Sequence, residues 1–576
     1  MRQQILECVP NFSEGRDRSI IKQITDAIES VEGVKLLDVD PGQATNRTVV
    51  TFVGAPGDVV EAAVRAGRKA SEVIDMRRHL GEHPRFGAMD VCPLVPVANL
   101  TLDETVPYAH RLAARLGEEV GLTVFCYEHA ARSPQRRNLA DVRAGEYEGL
   151  ADRLARPEWK PDFGPAEFNP RSGATAVGAR DFLVAYNINL NTTSTRRANA
   201  VAFDVREKGR KKRRGNPISG PVVLDQDGHA VWIPGSLRCV KAIGWFIEEY
   251  GIAQISMNLT CLDVTPLHAA FDEVCRKARA RGLRVTGSEL VGLVPLKTML
   301  DAGRYFLRKQ QRSLGVSDSE LIKIAVKSLG LDDLAPFRPE EKIIEYAMED
   351  PGRRRLVDLS VKAFFYKTAS EAPAPGGGSV AAAVGAMGAA LATMVANLSS
   401  HKRGWDDRWE EFSMQAERGM HLHDRLLRLV DEDTEAFHAV MAARRLPAGS
   451  EGEKQARERA MVQAIRTAIQ VPFQIMETAW HSMEIIRAMA ETGMPGSVSD
   501  AGVAALCART AVRAAFLNVK INAATLNDRT FVAEVLSRGT DMEREAAQRE
   551  QEILETVERR QALLSGRSSG GEHGAG

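Results

Sequence analysis

No charge of one sign dominates this chain: Lys plus Arg and Asp plus Glu both number 76 among 576 residues, a formal net charge of zero. A protein that met nucleic acid or an anionic membrane through its overall field would need an excess of base, so neither partner is expected. No apolar run is expected to approach the roughly 20 residues that span a bilayer. Near the N-terminus, Glu7 stands where a signal peptide would carry its apolar core, and a soluble, cytoplasmic protein is the expectation. The seven cysteines are scattered, odd in number and without a Cys-x-x-Cys pair, so neither a disulfide framework nor a zinc site is indicated. Repeats of solenoid length are missing too.

At this length one core is not enough, and about three or four compact units are expected. A strand pattern at 5–9 turns through 11–15 into a helix with Ile20, Ile21, Ile24 and Ile28 on one stripe. Strands follow at 34–39 and 48–53, then a helix over 58–76. The cadence returns with a strand at 182–190, a helix at 195–207, strand signals within 245–264 and a helix carrying Leu267, Phe271, Val274 and Ala278. After about residue 330 strand signals vanish and Ala-rich helices run from 359 to 564. The predicted fold is therefore multidomain: an α/β N-terminal half of two similar sheet-plus-helix subdomains, followed by an all-α helical bundle. The expected divisions are 1–180, 181–330, a linker at 331–355, a helical domain at 356–565 and a disordered Gly/Ser-rich tail at 566–576.

Residues 81–90 read Gly-Glu-His-Pro-Arg-Phe-Gly-Ala-Met-Asp, a segment that cannot be a helix. Pro84 removes a backbone donor and drives His83 out of the α region, while Gly81 and Gly87 permit turns on either side. An imidazole held this way, with Glu82 and Asp90 close in sequence, suits proton transfer near neutral pH. The plain alternative is a turn whose charges pair in solvent. His79 precedes His83 by four residues, but Gly81 and Pro84 break the helix that such a ligand spacing requires, so no metal is expected.

Asn187, Asn189 and Asn191 alternate along a predicted strand and share one face, and Ser256, Asn258 and Thr260 repeat the arrangement. An amide-rich face suits water or a polar ligand. The stretches 161–165, with Gly164 and Pro165, and 172–180, with Gly173, would let backbone approach a planar ligand, or would serve as linker. The basic run at 206–214 has no interleaved aromatics, which leaves nucleic-acid stacking unsupported. A solvated loop, or a contact with a polyanionic substrate tail, are its two readings.

Further on, 373–379 reads Pro-Ala-Pro-Gly-Gly-Gly-Ser ahead of a small-residue helix. Free N–H groups at that helix start favour an anion or a carbonyl oxygen, and Gly376, Gly377 and Gly378 clear space, although no Gly-Lys-Ser/Thr makes it a P-loop. A second small-residue helix at 501–519 is suited to pack on the first. Leu426, Val430, Asp433, Phe437 and Val440 fall on one helical stripe. A carboxylate in that stripe is costly unless paired or functional, and burial would raise its pKa into a useful range. Asp431 and Glu432 fall off the stripe and read as solvated.

Segments 7–15, 36–40 with 45–48, 81–90, 143–148, 161–165 and 287–295 together resemble the glutamate formimidoyltransferase domain. Segments 374–382 and 430–437 resemble the formimidoyltetrahydrofolate cyclodeaminase domain. Their order is similar to that of the bifunctional formimidoyltransferase-cyclodeaminase family over nearly the whole chain. The resemblance implies a two-step folate enzyme of histidine degradation. The first half would move the formimino group from N-formimino-L-glutamate to N5 of tetrahydrofolate, the co-substrate, in polyglutamylated form. The second would close the ring to 5,10-methenyltetrahydrofolate and expel ammonia. The resemblance places the transferase base at His83, the cyclodeaminase acid at Asp433 and folate contacts over 164–173. It makes Arg47 and Arg85 candidates to hold substrate carboxylates, gives Gly376–Gly378 a cradle role and implies a homo-oligomer. Three rival readings stand beside it: one active half with a folate-binding or assembly module, a non-enzymatic folate scaffold that leaves His83 and Asp433 unexplained, and a metallohydrolase using His79, His83 and Asp90, which Gly81 and Pro84 disfavour.

Overall fold

Apolar and polar residues alternate through β1 (Ile5–Cys8) and β2 (Asn11–Phe12), two pieces of one strand interrupted at Val9 and Pro10. Leu6, Cys8 and Phe12 enter the core, while Glu7, Val9 and Asn11 line a cleft on the opposite face. The computed structural model describes residues 4–43, 45–81, 84–216, 219–348 and 355–568, with side chains to residue 564. The chain divides into two units, Met1–Ala302 with Ala325–Glu349, and Gly303–Ile324 with Asp350–Gly576.

In the first unit, β1 and β2 lie between β4 (Arg47–Gly54) and β5 (Met89–Ala98), with β3 (Val34–Gly42) outside β4. These pairings are antiparallel. β7 (Ala174–Ala179) then joins β5 in parallel and β6 (Thr123–Glu128) closes the far edge. Three helices cover one face: α1 (Arg18–Glu29), capped by Asp17, α2 (Pro56–Val73), and α3 (Leu102–Glu118), opened by a Thr101/Glu104 capping box. Ile24 and Ile28 of α1, Val60 and Ala63 of α2, and Leu112 and Leu116 of α3 pack with Leu6, Cys8, Phe52 and Leu94 of the sheet. Two short helices, α4 (Leu139–Val142) and α5 (Leu150–Leu154), fill the connection from β6 to β7.

The stretch at 172–180, read from sequence as a ligand approach or linker, is mostly the interior strand β7, all six of whose residues are buried. Its small residues serve packing: a Cβ on Gly178 would stand 2.6 Å from the Tyr127 ring.

The second sheet is antiparallel, with β11 (Val240–Ile247), β12 (Ile252–Leu259), β8 (Val184–Leu190) and β13 (Val285–Val291) in that spatial order. α6 (Thr195–Val205) approaches closely at Gly244, where a Cβ would stand 2.3 Å from the Asn199 nitrogen. α7 (Leu267–Arg279) presents Leu267, Ala270, Val274 and Ala278 to the interior, with Phe271 outside the buried set. A small ribbon, β9 (Arg210–Lys211) with β10 (Trp232–Ile233), carries the basic run. Helices α8 (Leu296–Lys309), α9 (Asp318–Leu329), α10 (Pro339–Lys342) and α11 (Ile344–Ala347) follow. No named strand follows β13 among the described residues.

The remaining helices are α12 (Val361–Thr368), α13 (Gly377–Ser400), α14 (Trp409–Arg444), α15 (Glu451–Thr492), α16 (Val498–Ala523) and α17 (Arg529–Ser568). The predicted architecture is the one observed: two sheet-plus-helix halves, then an all-helical region. α13 and α16 pack through small residues, since a Cβ on Gly388 would meet the Ala504 carbonyl at 3.0 Å and one on Gly385 would meet Ala511 at 3.1 Å. Gly377–Ser400 and Pro495–Ala523 are long and apolar enough to cross a membrane by composition, yet at least half of each is buried within the protein. Gly, Ser and Thr interrupt the first, and Asp500, Arg509, Arg513 and Lys520 interrupt the second.

Candidate functional site

Three separated stretches of sequence meet around the loop at 81–90. Ser13 donates its hydroxyl to the Gly87 carbonyl at 2.8 Å and its N–H to Ala88 at 2.9 Å. Asn46, in the left-handed region at φ 49°, donates through Nδ2 to Leu80 at 3.0 Å and accepts from the Gly15 N–H at 3.0 Å. The buried His79 ring donates from Nε2 to the Asn46 carbonyl at 2.6 Å. A Cβ on Gly81 would stand 2.2 Å from the Thr45 carbonyl oxygen, and one on Gly87 equally close to that of Ala174. Gly173, at φ +64°, leaves room for the Phe86 carbonyl. Glu82 and His83 lie outside the described residues.

Asp90 is fully buried and bound by two guanidiniums, those of Arg47 and, at 2.9 Å, Arg143. Arg143 also donates to the Pro84 carbonyl at 2.6 Å, and Arg47 donates from Nε to Asn11 Oδ1 at 3.0 Å. Two cations on one carboxylate leave a net positive charge at this wall, which suits an anionic group. Burial, and next the like charge of Arg143, pull the Arg47 guanidinium down to about 9, so it stays cationic at neutrality. The Asp90 Oδ1 atom has no hydrogen-bond partner among the described residues.

Beside this wall, on the sheet face that the helices leave uncovered, lies a cleft of 380 Å³. Strand register orders it: Asp40, Val49, Asn11 and Val91 stand in one row across four strands. Glu7, Asp38 and Asp40 are acids of the lining, and Arg47 and Arg180 supply cations. Ala185, Asn258 and Val291, one row of the second sheet, complete it. Burial pushes the Glu7 carboxyl up to about 7, with Arg180 opposing the rise. Burial also raises Asp38, against the attraction of Lys342, and pushes the Tyr127 hydroxyl up to about 12.

Of the residues singled out in the sequence for this half, Arg47 and Asn258 line the cleft. Arg85 does not: its guanidinium donates to the Met76 carbonyl at 2.7 Å and to that of His79, pairs with Glu148 at 2.8 Å and lies 4.5 Å over the Tyr147 ring. In this position it braces the loop. Asn187 and Asn189 are buried in a polar network rather than facing a ligand. Gln254 donates to Asn189 at 2.8 Å, Asn189 to Asp333 at 3.2 Å, and Asn187 to Glu289 at 3.3 Å. The strand period put them on one face correctly; it could not say that other polar side chains cover that face. Gly164, at φ +78°, packs on the Leu122 carbonyl and Gly117, and the Pro165 carbonyl accepts from Thr123 at 2.8 Å.

The basic run is more structured than a solvated loop. Arg206 stacks 3.9 Å over Phe203, Arg210 pairs with Asp204, and Arg213 donates to Gly220 at 2.7 Å. With Lys211 and Trp232 they border a cavity of 520 Å³, so folding supplies the aromatics that the linear sequence lacks.

In the helical unit, Asp433 of α14 sits on the N-terminus of α13. Ser379 Oγ donates to its Oδ2 at 3.0 Å, and the same hydroxyl lies 2.9 Å from the Val430 carbonyl and 3.2 Å from Thr434 Oγ1. Burial raises the Asp433 pKa, and the side-chain and backbone hydrogen bonds from Ser379 hold back the rise. Gly378 supplies the space, for a Cβ there would stand 2.1 Å from Asp433 Oδ1. Gly377 instead faces Asn518 of α16, whose Nδ2 would lie 3.2 Å from an added Cβ. Gly376 has nothing near its Cβ position and borders open space. Leu426 and Val430 are buried as the stripe requires, whereas Phe437 is 40% exposed. Asp431 and Glu432 are not simply solvated: Asp431 accepts from the Leu356 N–H at 2.6 Å, and Glu432 pairs with Arg425 at 2.5 Å.

Residues 5–180 match the family described as the formiminotransferase domain, N-terminal subdomain; 185–349 match the formiminotransferase domain, and 360–541 match formiminotransferase-cyclodeaminase. A formimidoyltransferase-cyclodeaminase from Sus scrofa is 43% identical over 560 residues, 97% of this chain and 100% of that protein. The chain belongs to the formiminotransferase-cyclodeaminase family. A glutamate formimidoyltransferase from Streptococcus pyogenes serotype M1 is 39% identical over 53% of this chain and 94% of its own length. A solved structure of a formiminotetrahydrofolate cyclodeaminase from Thermotoga maritima covers 35% of this chain and 98% of its own, at 32% identity and a TM-score of 0.31.

For a formiminotransferase-cyclodeaminase, sequence reading passed over several site residues. Glu7 and Asn11 were visible only as parts of a motif. Arg143 gave no local sign that it reaches Asp90, 53 residues away. Ser379 follows the glycines that drew notice, and Asn518 lies on the second small-residue helix without standing out.

Proposed function

We propose that this chain carries out two consecutive one-carbon steps: transfer of the formimino group of N-formimino-L-glutamate to N5 of tetrahydrofolate, then ring closure to 5,10-methenyltetrahydrofolate with loss of ammonia. One observation carries the reading. A single chain, alike along its whole length to the bifunctional pig protein, holds both the cradled loop at 81–90 and a carboxylate seated on the α13 N-terminus.

In the first step N5 loses a proton as it bonds to the formimino carbon, and the departing glutamate nitrogen gains one. His83 is the proposed base that makes both transfers. Glu82 and Asp90 are the candidates to orient its ring, and Arg47, cationic at the cleft wall, the candidate to hold a donor carboxylate. In the second step N10 attacks the same carbon and passes its proton to Asp433, which returns it to the amine that leaves as ammonia. A carboxyl raised by burial, yet hydrogen-bonded by Ser379, is suited to take and give that proton. The unhindered surroundings of Gly376 give the folate a line of approach.

The finer expectations belong to the same proposal. The cavity at the basic run would accept the polyglutamate tail of the folate, and neither step calls for a metal. Apolar side chains exposed along one stripe of α13, Met387, Met394 and Leu398, suit a second copy in a homo-oligomer. The working divisions are 1–180, 181–330, 331–355, 356–565 and the tail 566–576, in a cytoplasmic enzyme. Incubating purified chain with N-formimino-L-glutamate and tetrahydrofolate tests the core of this reading. Methenyltetrahydrofolate absorbance and ammonia should rise together, and the absence of both would refute it.

A further inference from the structure

Glu7 is the buried acid of the cleft lining, 4% exposed, while Asp40 on the same lining is exposed. Its register partners on the neighbouring strands are Val53 and Val95, so neither flanking strand places a charge directly opposite it. The charged groups acting on it are Arg180 and, with the opposite effect, Glu345; Asp38, Asp40, Arg47 and Tyr127 share the lining. A buried carboxylate in an open cleft is costly unless something cationic completes it.

The transferase donor supplies such a cation. An amidine is a strong base, so the formimino end of N-formimino-L-glutamate is a planar formamidinium with two N–H groups directed the same way, while the rest of the molecule carries two carboxylates. The lining holds groups of both signs, the Glu7 carboxyl and the Arg47 and Arg180 guanidiniums, with Arg180 acting on Glu7 itself. We propose that Glu7 receives the formamidinium of the donor, its two oxygens accepting the paired N–H groups while the arginines take the carboxylates. The inference rests on the transfer reading above and names the group within that site that distinguishes the amidinium from a neutral acyl group.

The placement also serves the chemistry. A carboxylate paired with the amidinium keeps its carbon electrophilic. As N5 bonds to that carbon it sheds a proton, and the carbon–nitrogen bond to glutamate then breaks, its electron pair going to a nitrogen that has gained a proton. Two N–H bonds held by Glu7 fix the carbon in the path of N5 throughout.

Glu7→Gln tests this in the full-length enzyme, keeping the shape and removing the charge. The readouts are KM for each substrate, the pH dependence of donor binding in the absence of tetrahydrofolate, and inhibition by N-formyl-L-glutamate, the neutral analogue. Wild type should prefer the cationic donor over the neutral analogue, and its donor affinity should show an acid limb below about pH 7, where Glu7 takes up a proton. E7Q should raise KM for the donor on the order of 100-fold, with KM for tetrahydrofolate little changed, and should erase both the acid limb and the preference. Retention of limb and preference in E7Q, or a rise in the folate KM alone, would overturn the proposal. An unchanged KM for tetrahydrofolate together with a wild-type urea midpoint of the α/β unit checks that the unit carrying Glu7 is folded. A wild type that transfers no formimino group at all would instead sink the transfer reading.

Discussion

Gly378→Ala probes the second site through a single methyl group. The new Cβ would stand 2.1 Å from Asp433 Oδ1 and 2.5 Å from its Cγ, well inside the 3.0 Å below which real contacts are essentially unknown. Roughly 1 Å of displacement is needed, a shift large enough to cost about 100-fold in rate when it misplaces a catalytic group. The carboxylate has little freedom to retreat, because α14 is held against α13 through Ser379, whose hydroxyl contacts Val430, Asp433 and Thr434 together. Alanine is itself the better helix former by about 1 kcal/mol. Any loss of stability must therefore come from the displaced carboxylate and its broken hydrogen bonds, about 1–3 kcal/mol. Supplied with 5-formiminotetrahydrofolate, G378A should close the ring about 100-fold more slowly, while glutamate release from the first site continues at the wild-type rate. Wild-type ring closure in G378A would refute the placement of Asp433 as the working carboxylate.

The remaining predictions concern the same two sites. Asp90→Asn leaves Arg47 and Arg143 without their shared anion, and breaking a buried pair of this kind costs about 3–5 kcal/mol, measurable as a lower urea midpoint for the α/β unit. Burial holds the Glu7 pKa at about 7 in the folded chain, above the ordinary 4.5, so the native state retains a proton that the unfolded chain releases. That contribution is complete below the lower value and lost as pH rises through the higher one, about 3 kcal/mol in all, and E7Q should flatten the fall in Tm between pH 5 and 8. Ser379→Ala removes a hydrogen bond that favours the ionised Asp433, so the pH limb of ring closure assigned to that group should move upward; an unmoved limb would take the proton from another group.

Legibility in the sequence followed the range of the interaction. The sheet-plus-helix cadence and the long helices were readable because periodicity is local: Ile21, Ile24 and Ile28 are the buried face of α1. Asp433 was readable too, since a carboxylate among apolar neighbours at helical spacing is an anomaly within a dozen residues. What failed was pairing across distance. The asparagines of β8 share a face as predicted, but Gln254, Glu289 and Asp333 satisfy them, and nothing local announces those partners. Arg85 looked available for a substrate until the Met76 and His79 carbonyls took its donors. Gly378 reads as room for a ligand and proves to be room for Asp433. Glu7 was hidden because its importance comes from burial within the sheet, which a four-residue strand does not reveal.

The most direct test of the two-site account separates the products. Purified chain is given N-formimino-L-glutamate and tetrahydrofolate, and glutamate, ammonia and methenyltetrahydrofolate are followed together in wild type, His83→Ala and Asp433→Asn. Wild type should form all three, H83A none, and D433N glutamate alone as 5-formiminotetrahydrofolate accumulates. Ammonia and methenyltetrahydrofolate released by D433N at the wild-type rate would contradict the account.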